Sequence, residues 1–122
     1  MGVISKGTLS KGIMALFALS VTGTSLLADD YPSRPIRIVV PYAAGGPSDT
    51  GTRLIVEPLS KQLGVSIFVE NRGGGGGLNA TEQYLKGEQD GYTLLVGSIG
   101  PFAIIPNLKP VSYDVDKDFV PL

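Results

Sequence analysis

The chain has 122 residues, with 10 basic and 11 acidic side chains, a net charge of -1, and neither histidine nor cysteine. That inventory excludes the common zinc sites, Cys-His pairs, Ser-His-Asp triads and disulfide staples. Near-neutral charge, without a basic stripe carrying interleaved aromatics, gives no footprint for nucleic acid, and an enzyme would have to rest on carboxylates or lysines, which do not cluster.

The N-terminal stretch differs in kind from the rest. Lys6 and Lys11 precede an apolar run from Gly12 to Val21, no acidic residue occurs before Asp29, and small residues lie between Thr22 and Ala28. This is the layout of a secretory signal peptide over residues 1–28, with cleavage expected near Ala28 and an alternative after Ser25. A retained membrane helix is the weaker alternative, because the apolar run falls well short of the ~20 residues a bilayer needs. The remainder, 29–122, keeps eight of the ten basic residues and all 11 acidic ones. With export comes an oxidising compartment outside the cytoplasm.

The passage Ile36–Asp49 is the most informative part of the chain. Ile36, Ile38, Val39 and Val40 form a short β-branched run of the kind found in buried parallel strands, and Pro41 stops it because proline has no N–H for a ladder. Gly45 and Gly46 then allow close approach of backbone to a ligand, and Ser48 or Asp49 can cap a following helix whose N–H groups face the same spot. The corner reads as an anion-receiving turn. The plainer reading is an ordinary β-to-α connection.

Thr50–Leu63 has apolar residues at 54, 55, 59 and 63 with Arg53, Glu57 and Lys61 on another face, which predicts a helix. Pro58 inside it is expected to kink or shorten the last turns. Gly64 supplies a C-cap, Val65–Glu70 a second strand, and Asn71–Gly77 a loop with five consecutive glycines, either an anion nest or a floppy turn. Asn79–Lys86 reads as a short helix, Asp90-Gly91 as a turn and Tyr92–Val96 as a third strand.

Three motifs fail on inspection. The dinucleotide fingerprint would need glycine at Leu78, and Lys86-Gly87 has the wrong order for a P-loop. A nucleophile elbow around Ser98 would need glycine at Val96, and no histidine exists to activate the hydroxyl. Ser98 is therefore a candidate anion donor and not a nucleophile. The alternation strand, helix, strand, helix, strand predicts an α/β fold. Right-handed crossovers would bring three Gly- or Ser-bearing loops to one sheet edge, where such folds collect ligands.

From Tyr31 to Leu122 the chain resembles the Bug receptors, the periplasmic solute-binding proteins of tripartite tricarboxylate transporters. The resemblance rests on YPSRPIRIVVPYAAGGPSD, VENRGGGGG, DGYTLLVGS and YDVDKDFVP, in that order. It implies a two-lobe Venus-flytrap fold, each lobe a parallel-strand sheet flanked by helices, of which 29–122 would be the N-terminal part of lobe one, the end of that lobe and the second lobe being absent. It implies capture of a small carboxylate for delivery to membrane permease subunits, with no catalytic residue, metal, cofactor or nucleic-acid partner. Carried over position by position, the ligand-binding residues would be Tyr42, Ala43, Gly45, Gly46, Ser48 and Asp49 in the first loop, and Ser98, Gly100 and Phe102 in the third. Asp49 has two readings, helix cap or ligand contact, with the cap preferred. Asn71 and Arg72 either pair with an anion or, for Arg72, tie the loop to a helix. Gly73 and Gly75 stand where the family has Pro and Ala, Pro58 interrupts a helix continuous in the family, and the stretch before Tyr113 is about one residue short. Two alternatives remain, a truncated non-functional remnant of such a receptor and a fragment of an α/β hydrolase-like enzyme.

Overall fold

The computed structural model describes residues 30–122. The expected signal peptide and its cleavage site lie outside the described residues. Ile36–Val40 forms β1, the hub of the molecule: Ile36, Ile38, Val39 and Val40 are all buried, Val40 completely. Such a run has no polar face, so it must be covered on both sides. Strand β2 (Ile67–Asn71) pairs with one edge of β1 and β3 (Thr93–Leu95) with the other, both parallel, in the order β2-β1-β3. The ladder of β3 extends one residue each way, through Arg37 N to Tyr92 O (2.8 Å) and Val96 N to Val39 O (2.9 Å), so it spans the expected 92–96.

Because β2 and β3 flank β1 on opposite sides, right-handed crossovers carry the helices α1 (Pro47–Leu63) and α2 (Leu78–Leu85) over opposite faces of the sheet. Register places Val40 opposite Asn71, and Val39 opposite both Glu70 and Leu95, so the three strands end nearly level. Their following loops are thereby gathered on one edge.

Helix α1 departs from expectation in three ways. It starts at Pro47, whose fixed φ and missing N–H suit the first turn, and its N-cap is Gly46 with no side-chain cap, so neither Ser48 nor Asp49 is the cap residue. Its inward stripe is Asp49, Thr52, Val56, Leu59, Ser60 and Leu63, while Leu54 and Ile55 are exposed. The rotation follows from polar anchors that outweigh the apolar pair: the Thr52 hydroxyl donates to Ser48 O (2.7 Å) and Asp49 is held by groups beneath the helix. The helix also runs through Pro58 to Leu63. Pro58 and Leu54 are both exposed, so the carbonyl that proline leaves unpaired lies where water reaches it. Gly64 ends the helix as expected, at φ +69 with its N–H on Ser60 O (3.0 Å).

Beyond β3, a wide turn at Gly100–Ile104 leads into the short helices α3 (Ile105–Leu108) and α4 (Val115–Asp118). The buried Tyr113 donates its hydroxyl to Pro101 O. Phe119 packs against Phe102 (4.7 Å between ring centres), Tyr84 and Tyr113, which pins the end of the chain onto the third loop and α2. Among the described residues, no helix is long and apolar enough to cross a membrane.

Candidate functional site

The carboxyl edge of the sheet is built from three loops in mutual contact. In the first, Gly45 adopts φ +82, which turns the chain from β1 into α1. From it Tyr42 reaches across the end of β1 to the third loop, its hydroxyl 2.9 Å from Ser98 Oγ. The second loop is not floppy. Gly74 to Gly77 all have positive φ, and Gly77 N closes onto Gly74 O (3.1 Å). The Asn79 side chain lies against Gly74 and Gly75, while Gly76 O sits so close to Gly100 that a Cβ there would stand 2.9 Å from it. A Cβ on Gly73 would meet Ala43 N at 3.4 Å. The glycines are therefore used to bring three backbones together.

Under the first loop lies a polar network whose carboxylate is buried and whose guanidinium is half exposed. Asp49 is 3% exposed, and its Oδ2 accepts from Gly45 N (2.7 Å). Its Oδ1 accepts from Arg53 Nε (2.9 Å) and Asn71 Nδ2 (3.0 Å). Asn71 Nδ2 also donates to Tyr42 O (3.2 Å), and Asn71 Oδ1 accepts from the outer guanidinium nitrogen of Arg53 (3.0 Å). The Gly45 N–H, with the Arg53 guanidinium behind it, holds the Asp49 carboxyl down to about 2, against burial, which pushes it up.

The expected ligand-side residues Tyr42, Ala43, Gly45, Gly46, Ser48, Asp49, Ser98 and Gly100 are thus on or beside the gathered loops. Asp49 points down into the network. Phe102 belongs to the third loop, its N–H donating to Ser98 O (3.2 Å), but its ring turns into the aromatic cluster with Phe119 and lines a hollow of about 670 Å³ beside β3, with Leu94, Leu95 and Leu122. Arg72 takes the helix-tying role, with Nε on Glu70 (2.6 Å) and a guanidinium NH on Gln83 of α2 (3.0 Å). Asn71 ends β2 and serves the network. Arg53, placed by sequence periodicity on the outer face with Glu57 and Lys61, turns to Asp49 instead; the i, i+4 spacing of 49 and 53 was the available signal. Glu57 and Lys61 do pair on the outer face (2.7 Å).

Chemically, the edge offers donors. Two hydroxyls bonded to each other use one of their two protons, leaving the second of the Tyr42–Ser98 pair for another acceptor. The N–H groups at the start of α1 add a partial positive charge, and the one buried carboxylate nearby is turned away and neutralised by Arg53. Among the described residues, no group of three or more Asp, Glu, His or Cys is placed to hold a metal.

Residues 52–122, more than half of the chain, match the tripartite tricarboxylate transporter family receptor, TctC. The chain belongs to that family. BugT of Bordetella pertussis is 41% identical over 97 residues, 78% of this chain and 30% of that protein. A UPF0065 protein of Agrobacterium vitis is 49% identical over 88 residues, covering 68% and 25%. Among solved structures, MatC of Rhodopseudomonas palustris with bound malate superposes with a TM-score of 0.69 at 42% identity, covering 75% of this chain and 31% of that one. The R. palustris protein Rpa4515 with adipate gives 0.65 at 36%, covering 71% and 29%. The chain therefore spans about a third or less of the relatives it matches. These similarities bear out the α/β sheet as part of a periplasmic-binding-protein lobe, and they place the chain in a family of receptors and not of enzymes.

Proposed function

We propose that this TctC-family chain receives a small carboxylate at the carboxyl edge of its sheet, makes and breaks no bond, and serves a tripartite tricarboxylate-type transporter by passing the ligand to the membrane permease. On this reading residues 1–28 are an export signal, the protein works in the periplasm, and 29–122 form the N-terminal part of lobe one. The observation that carries the proposal is the hydroxyl bridge from Tyr42 to Ser98 (2.9 Å), which joins the loops after β1 and β3 where α1 begins and presents donors above a carboxylate, Asp49, that is buried and paired with Arg53. Anions favour such a place because unpaired N–H groups and the helix dipole point the same way. The malate bound to MatC and the adipate bound to Rpa4515 are the class of ligand this surface suits.

The test is a titration of the isotopically labelled chain with sodium malate and sodium adipate, followed by amide chemical shifts. Shifts confined to Tyr42–Ser48 and Ser98–Gly100 are expected for both acids and not for their neutral diamides. Equal response to acids and diamides would refute the proposal, as would ester hydrolysis abolished by Ser98→Ala.

A further inference from the structure

The network beneath the first loop gives Asp49 a role different from ligand contact. We infer that Asp49, Arg53 and Asn71 form a positioning unit that sets the first loop and makes it tolerant of an anion, without any of the three touching the ligand. The inference rests on the proposal above for the nature of the ligand, but its geometry stands independently.

The argument is one of saturation. Both oxygens of Asp49 are occupied, one by Gly45 N and the other by Arg53 Nε and Asn71 Nδ2, and the side chain is almost wholly buried. A ligand amine or hydroxyl could reach it only by displacing one of these donors. Arg53 and Asn71 are also bonded to each other, and Asn71 holds Tyr42 O, so the network spans α1, the end of β2 and the loop after β1. Gly45 sits at φ +82 with its N–H on the carboxylate, so the turn that aims the start of α1 at the loop mouth is held from below by a charge-assisted bond.

Charge decides the second half of the claim. An uncompensated carboxylate a few ångströms under the loop would repel a bound dicarboxylate, and Arg53 cancels it. Arg53, its side chain half exposed, therefore bears on specificity for anions through the carboxylate it neutralises. Asp49 makes the loop; Arg53 keeps it open to negative charge.

The experiment uses the full chain with Asp49→Ala, Asn71→Ala, Arg53→Gln and the double variant Asp49→Asn, Arg53→Gln. Amide exchange at Gly45 is expected to quicken at least tenfold in Asp49→Ala and Asn71→Ala, with Ile38 and Val40 unchanged as proof that β1 is intact. Between pH 7 and 3.5 the Gly45 amide shift is expected to stay flat in the parent and to move in Arg53→Gln, as the carboxylate loses its partner. Sodium malate at pH 7 should shift the loop amides several-fold less in Arg53→Gln than in the parent, and the double variant, neutral again beneath the loop, should recover that response. Unchanged Gly45 exchange and titration in the variants would overturn the positioning role, and failure of the double variant to recover would overturn the charge role. If malate moves no amide even in the parent, the proposed ligand class falls and the charge role with it, while the exchange and titration data still judge the positioning unit.

Discussion

Gly100 shows how tightly the three loops are joined at the scale of a single residue. A Cβ there would stand 2.9 Å from the backbone carbonyl of Gly76 and 3.2 Å from the Tyr42 hydroxyl, and the first of these cannot rotate away. Gly100→Ala is therefore expected to destabilise the chain by about 1–3 kcal/mol in urea unfolding, the usual cost of overpacking. Gly97→Ala, with nothing within 4 Å of its Cβ, is the control and should change stability by less than about 0.5 kcal/mol. Asp49 supplies a pH dependence of definite sign. Its carboxyl is lowered from 3.8 to about 2 in the folded chain, so its contribution is fully present above 3.8 and is lost as pH falls through about 2. The stability difference between the parent and Asp49→Asn, measured by urea unfolding at a series of pH values, should hold steady from pH 7 to about 5 and shrink from about pH 4 down to 2.

At the scale of elements, α1 carries the clearest conflict between local preference and fold. Pro58 lies in a continuous 17-residue helix, at a position where both it and Leu54 are exposed. Pro58→Ala restores one intrahelical bond and removes the clash with the preceding turn, a gain of up to ~3 kcal/mol, offset by about 1 kcal/mol from the freer unfolded chain. A net stabilisation of about 1–2 kcal/mol in urea unfolding is expected, with the amide shifts of β1 unchanged. Leu54 and Ile55 carry the helical period but face outward, because Asp49 and Thr52, on the other side of the helix from Leu54, are fastened inward. Periodicity identified the helix correctly and misjudged which of its sides is covered. The second loop is the reverse case: five glycines in sequence left nest and floppy turn equally open, and contact with Asn79, Gly100 and Pro101 gives them one path.

At the scale of the whole molecule, the proposed site would give a carboxylate roughly three or four charge-assisted hydrogen bonds at ~1.5–3 kcal/mol each, against ~4–15 kcal/mol for immobilising a ligand. Micromolar affinity needs about -8 kcal/mol net, and an open edge stays wet, which weakens each bond. Calorimetry on the folded, monomeric chain is therefore expected to find no saturable binding of citrate, succinate, malate or adipate below millimolar concentration; a micromolar dissociation constant would show that this edge, alone or in a dimer, makes a complete site.

Much of this architecture was legible from residues alone. β-branched runs ended by proline or glycine mark parallel strands, their alternation with helical periods requires crossovers, the hand of those crossovers sets which face each helix covers, and the shared strand direction sends the glycine loops to one edge. The lack of histidine and cysteine removed most catalytic chemistry before any coordinate was needed. These are properties of neighbours in sequence, or of topology that permits only one hand. What only the tertiary structure decided concerns partners far apart in the chain. The order β2-β1-β3, the meeting of Tyr42 with Ser98, the turning of Asn71 onto Asp49, and the departure of the Phe102 ring to the aromatic cluster all depend on which surfaces face each other. Burial and hydrogen bonding select those pairings jointly over the whole fold, and no local pattern encodes them.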